Sequence, residues 1–156
     1  EARAEARLPG CGQLRRGLVR TAGPASVPAF ACGLPQAALA EVCTCGAWRP
    51  PAVRPGLNAL VPGCGRAYDA LALAEHGYAS VVALDVSPAA CEAARAELHS
   101  SQSPAAGQVE VRCGDFFSLQ GETFDLIWDC TFLCALNPSV RERWAAQMHA
   151  LLSPQG

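Results

Sequence analysis

Gly63 and Gly65 stand one residue apart in Val61-Pro62-Gly63-Cys64-Gly65-Arg66, and Asp85 follows about twenty residues later at the end of Val81-Val82-Ala83-Leu84. Glycines in a turn after a strand let the backbone approach a ligand where a side chain would block it. An acid at the end of the next strand can accept both hydroxyls of a ribose. Asp115 and Asp129 repeat the pattern, ending the runs Val109-Glu110-Val111-Arg112-Cys113-Gly114 and Phe124-Asp125-Leu126-Ile127-Trp128. In an open parallel sheet, ligands bind beyond the carboxyl ends of the strands. Asp85, Asp115 and Asp129 are therefore expected to converge on one crevice. Their neighbours Cys64, Val86 and Phe116 complete the candidate binding set, and the ligand is expected to be a nucleoside.

The departure of this turn from the dinucleotide fingerprint selects among nucleosides. A third glycine in G-x-G-x-x-G allows close helix packing beside a pyrophosphate, but Tyr68 holds that place here. S-adenosylmethionine carries a ribose and an adenine without phosphates, so its pocket needs the turn and the acid but no anion cradle. These residues fit it better than a nicotinamide dinucleotide, which stays open as the alternative. Two glycines in a strand-to-helix turn also occur for conformational reasons alone.

The elements that must position these residues alternate between strands and helices, the α/β pattern of a Rossmann-like sheet with helices on both faces. A strand over residues 57–62 leads through the glycine turn into a helix near Asp69–Glu75, which His76 and Gly77 close. Ser87-Pro88 reads as an N-cap with proline in the first turn of a second helix running to about Leu98. Ser100 to Gly107 reads as a loop. A strand is expected over Phe124–Asp129. Asn137-Pro138 repeats the cap signal before a last helix whose apolar stripe is Val140, Trp144, Met148, Leu151 and Leu152. Upstream, residues 35–42 could form a short helix before a proline-rich loop over residues 46–56. Residues 1–27, rich in Arg, Gly and Pro, are expected to be disordered or irregular.

The chain has 156 residues, enough for one domain, with a net charge of -2. That charge gives no electrostatic footprint for nucleic acid, and no apolar run reaches membrane-spanning length. All twelve basic residues are arginine, which reads as codon bias. Nine cysteines, an odd count, in an α/β chain without a secretory signal imply reduced thiols and a cytoplasmic protein; an organelle-targeting remnant at the N-terminus remains open. Cys11, Cys43 and Cys45 lack a nearby histidine and a second pair at zinc-ribbon spacing, so no metal is expected. His76 and His149 read as helix-surface residues rather than catalysts.

The stretch Ala59 to Asp69, with Gly114-Asp115-Phe116-Phe117, Phe124 to Asp129 and Phe132-Leu133-Cys134-Ala135-Leu136, resembles the thiopurine S-methyltransferase-like superfamily of class I S-adenosylmethionine-dependent methyltransferases. The similarity is greatest to the plant and fungal thiol and halide branch, and it runs from about Phe30 to the C-terminal end. It implies a SAM-binding methyltransferase domain over residues 28–156. Within it, Gly63 and Gly65 face the methionine moiety, Asp85 the ribose, Asp115 the adenine amino group, Phe116 the adenine ring and Asp129 the ligand's ammonium. Phe30 would contribute from the N-terminal segment, and Cys130 and Phe132 would line the acceptor pocket. The implied reaction is in-line displacement at the sulfonium methyl by a small thiol, bisulfide or halide, which needs no general base.

The chain departs from that branch at several positions. Phe30-Ala31 stands where Trp-Asp is usual, and Cys130 where Tyr is frequent. Ala67 replaces a common glycine, which a negative φ would tolerate. The resembling family continues with further strands beyond the position of Ser153-Pro154-Gln155-Gly156. The chain is therefore expected to be a C-terminally truncated fragment, with a sheet edge open to self-association. A degenerate SAM-binding fragment without turnover is the second reading of its function.

Overall fold

The computed structural model describes Leu39, residues 56–154 and Gly156. The expectations for residues 1–27, Phe30, the helix at 35–42 apart from Leu39, which is helical, the loop over 46–56 apart from Gly56, and Cys11, Cys43 and Cys45 lie outside the described residues.

Four parallel strands, β1 (Asn58–Pro62), β2 (Ser80–Asp85), β3 (Val109–Cys113) and β4 (Leu126–Ile127), form one sheet in the order β3-β2-β1-β4. The central strands are continuous apolar runs, as strands covered on both faces must be. Their side chains still alternate. Ala59, Val61, Val81 and Ala83 join one core cluster with residues of α1 (Tyr68–Glu75) and Ala94 of α2 (Pro88–Ser100). Leu60, Val82 and Leu84 join a second cluster with Phe116, Phe124 and Leu151. A short helix, α3 (Phe132–Ala135), follows β4, and α4 (Arg141–Leu151) supplies Trp144, Met148 and Leu151 to that second cluster. Helices thus cover both faces, as the α/β pattern required.

Local signals act where the sequence puts them. The Ser87 side chain accepts the N–H of Ala90 at 3.4 Å, with Pro88 opening α2. Gly77, at φ +101°, follows α1, and Tyr78 N–H donates to Leu73 carbonyl while Gly77 N–H donates to Ala74 carbonyl. That is a Schellman ending, and glycine supplies its left-handed residue. Asn137 accepts the N–H of Ser139, but the turn it caps, Pro138–Val140, is a 3-10 turn, and the α-helix starts at Arg141. The loop after α2 likewise holds a 3-10 turn at Pro104–Gln108.

The strand expected over Phe124–Asp129 is confined to Leu126–Ile127. Asp125 is spent on a reciprocal clamp with Asn58: Asn58 N–H donates to its carboxylate and its own N–H donates to the Asn58 side chain, both at 3.0 Å. Phe124 bridges in parallel to Leu152, so the segment after α4 begins to pair outside β4. On the other side, β3 carries Arg112 between Glu110 and Glu122, at 2.8 Å from each. Paired charges blunt such an edge, and the Arg112 guanidinium holds the Glu110 carboxyl below the usual carboxylate range. Among the described residues no helix is long and apolar enough to cross a membrane.

Candidate functional site

From β1 the chain steps outward through β2 to β3, then returns to place β4 on the other side of β1. The order reverses between β1 and β4, and ligands of open α/β sheets bind in the crevice at such a reversal. The glycine turn follows β1 at this point, and Trp128 to Phe132 follow β4.

The turn is held by its backbone. Cys64 N–H donates to Leu84 carbonyl at 3.0 Å, and Ala67 N–H returns to Cys64 carbonyl at 2.8 Å. Gly63 and Gly65 have φ of +64° and +54°, the left-handed region glycine adopts without cost. Their surroundings differ. A β-carbon at Gly65 would meet nothing within 4 Å, so open space lies beside the backbone there. A β-carbon at Gly63 would meet Phe132 Cδ2 at 2.8 Å, so this glycine makes room for a ring from the loop after β4. Ala67 has φ +65° rather than the negative value expected of it; its methyl is buried in the core, and the left-handed strain is carried there.

Asp85 braces the turn from the end of β2. Its carboxylate accepts the N–H of Gly65 at 3.0 Å through one oxygen and the N–H of Ser87 at 2.9 Å through the other. Each oxygen keeps a lone pair for a further donor. Val86, next to it, is 72% exposed, the exposed large hydrophobic residue of the described chain. Together they present an acceptor beside an exposed apolar side chain at the carboxyl end of β2. Cys64 is a poor nucleophile, because burial and then the Asp85 charge push its thiol up to about 12.

The other candidates are placed less uniformly. Asp115 is exposed at the end of β3, with one oxygen capping a short turn through Phe117 N–H at 2.9 Å. Phe116 is buried in the second core cluster, edge-on to Phe117 and Phe132 at ring separations of 5.4 and 5.2 Å. Asp129 gives its carboxylate to the N–H groups of Phe132 and Leu133, at 3.1 and 3.2 Å, and to the Trp144 indole at 3.0 Å. It thereby caps α3 and ties it to α4. Thr131, between them, adopts φ +73°, a strained value for a β-branched residue, and Cys130 is half-buried beside it.

Two residues beside the turn escaped the sequence reading. The Trp128 indole donates to the Asp69 carboxylate at 3.0 Å, fastening the first turn of α1 to the end of β4 across the crevice. Asp69 carries a detectable signal, an acid in the first helical turn after a glycine turn, but nothing in the sequence pairs it with Trp128. Among the described residues no group of three or more His, Cys, Asp or Glu is placed to hold a metal ion.

Residues 47–156 match the model of the thiopurine S-methyltransferase family. A probable thiol methyltransferase of Arabidopsis thaliana is 45% identical over 65% of this chain and 44% of its own. A thiocyanate methyltransferase of Brassica oleracea is 44% identical over 64% of this chain and 43% of its own. A thiopurine S-methyltransferase of Stutzerimonas stutzeri is 34% identical over 59% and 44%. The chain thus spans less than half the length of these relatives. Among solved structures, a TehB-like SAM-dependent methyltransferase from Corynebacterium glutamicum aligns at 25% identity and TM-score 0.55, over 76% of this chain and 58% of that one. A magnesium protoporphyrin IX methyltransferase from Synechocystis with bound SAH shares the fold, with TM-score 0.60 at 19% identity over 74% of this chain and 49% of that one. With the glycine turn, the braced acid and the strand order in agreement, the chain belongs to the thiopurine S-methyltransferase family.

Proposed function

We propose that this chain is the S-adenosylmethionine-binding part of a methyltransferase that acts on a small thiol, bisulfide or halide. The observation that carries the reading is the Gly65–Asp85 pair. The acid at the end of β2 is held by the amide of a glycine whose side-chain direction is open space. A ribose needs that acceptor and a methionine moiety needs that space, so the residues present fit the cofactor.

When bound, S-adenosylmethionine supplies an electrophilic sulfonium methyl group. The protein's own residues do the rest. Asp85 accepts the ribose hydroxyls through the lone pairs that Gly65 and Ser87 leave open. Val86 covers the adenine, and Asp115, exposed beyond β3, accepts its amino group. Phe116 supports this wall from the core. Asp129 fixes the turn that carries Cys130 and Phe132, and its charge is matched by backbone amides and an indole N–H. The neighbouring space is therefore less hostile to an approaching anion. A soft anion needs alignment and exclusion of water rather than a base. The names of the relatives support the thiol or pseudohalide acceptor.

The test is calorimetric titration with S-adenosylmethionine, S-adenosylhomocysteine and NADH, followed by methyl transfer to bisulfide. Binding of the first two without the third is the expected result. Preference for NADH would overturn the reading, and binding without transfer would favour a SAM-binding piece that lacks turnover by itself.

A further inference from the structure

Beneath the Asp85–Val86 strip lie two thiols from different elements. Cys91, fully buried in the first turns of α2, directs its Sγ to the Asp85 carbonyl at 3.4 Å and to the Arg112 carbonyl at 3.7 Å. Cys113, paired in register with Asp85 at the end of β3, directs its Sγ to the Val86 carbonyl at 4.0 Å and is exposed. The two sulfurs therefore lie against one stretch of backbone, at the neighbouring carbonyls of residues 85, 86 and 112. Burial, followed by the neighbouring Cys113, raises the Cys91 thiol above its ordinary value. One thiol is open to solvent and the other is sheltered behind it, the arrangement of an attacking and a resolving pair.

We propose that Cys91 and Cys113 are a redox-active dithiol that closes to a disulfide by exchange with a low-molecular-weight disulfide such as oxidised glutathione. The Cys113 thiolate attacks one sulfur of the oxidant, forming a mixed disulfide and expelling one thiolate. Cys91 then gives up its proton and attacks the Cys113 sulfur, expelling the second thiolate. Two protein thiols are oxidised by two electrons, one oxidant disulfide is reduced to two thiols, and the two protons end on those thiols.

A bond of about 2.0 Å requires both sulfurs to close the gap between them. Cys91 then leaves the Asp85 carbonyl and Cys113 leaves the Val86 carbonyl. Those are the residues that hold the ribose and adenine on the reading above, so oxidation weakens S-adenosylmethionine binding. This consequence rests on that reading; the disulfide itself does not.

The test incubates the protein with oxidised glutathione and maps its thiols by alkylation and peptide mass. The expected product has lost two hydrogens and yields a peptide pair joined through Cys91 and Cys113. Cys64 should remain alkylatable after unfolding. Cys113→Ser should abolish the bridge, and Cys91→Ala should leave a stable glutathione adduct on Cys113. A glutathione adduct on Cys113 in the unsubstituted protein, with Cys91 still free, would overturn the dithiol. Oxidised protein should bind S-adenosylmethionine about tenfold more weakly than reduced protein, within the usual range of coupling between sites, and dithiothreitol should restore the affinity. Equal affinity in both states would overturn the coupling. A mapped bridge in a protein that binds no S-adenosylmethionine in either state would instead reject the cofactor site.

Discussion

Gly63 and Phe132 close-pack across the crevice: a β-carbon on Gly63 would stand 2.8 Å from Phe132 Cδ2 and 3.4 Å from its Cβ. The turn after β1 and the loop after β4 are thus fitted to each other where the strand order reverses. Gly65, two residues on, faces open space. One glycine serves packing, and the other leaves room for a ligand.

Alanine separates these roles. Gly63→Ala combines left-handed strain of about 1–2 kcal/mol with overpacking of about 1–3 kcal/mol, so urea denaturation should show a loss of about 2–5 kcal/mol. Gly65→Ala should cost only the strain, yet weaken S-adenosylmethionine about tenfold, or about 1.4 kcal/mol. Equal stability losses with unchanged binding at Gly65 would remove that position from the site.

Asp85 acts on the turn and the ligand together, because its two oxygens already hold Gly65 and Ser87. Asp85→Ala should weaken S-adenosylmethionine by about 1.5–3 kcal/mol, the worth of hydrogen bonds to a charged acceptor, and lower the melting temperature as well. Asp85→Asn keeps an acceptor oxygen and should recover part of the stability but little of the binding. Calorimetry and thermal melts on both variants separate the two effects.

Asp129 and Trp144 form one unit. Asp129→Ala removes a helix cap worth about 0.5–2 kcal/mol and leaves the half-buried indole N–H without its acceptor, costing about 1–3 kcal/mol more. Trp144→Phe removes only the indole bond. A double-mutant cycle should give a coupling of at least about 0.5 kcal/mol. Strict additivity would show that the bond contributes nothing in solution.

The legible parts of this fold are those whose signals are local. The apolar runs of β1 and β2, the glycine turn, the acid at Asp85 and the Ser87-Pro88 cap all lie within short windows, and hydrophobic period and turn chemistry act at that range. The less legible parts depend on partners far along the chain. Gly63 meets Phe132, Asp69 meets Trp128 and Cys91 meets the Arg112 carbonyl only after the crossovers are made. Asp129 has a contact that its place after an apolar run does not reveal: it stands three positions before Phe132 and caps the helix that begins there. Phe116 likewise follows an acid at a strand end, and its ring also packs into the core under the sheet.

Cys64 gives the fold a pH dependence of predictable sign. In the unfolded chain its thiol ionises near the ordinary 9.0, whereas in the folded turn burial and the Asp85 charge hold it protonated to about 12. Between these values the folded state binds the extra proton, so stability falls as pH rises, and below pH 9 this group contributes no slope. A single such proton gives at most about 1.4 kcal/mol per pH unit. Urea midpoints measured from pH 8 to 11 should therefore decline above pH 9, and Cys64→Ala should flatten the decline. An identical slope in the variant would show that another group carries it and that the Cys64 thiol ionises freely in the folded turn.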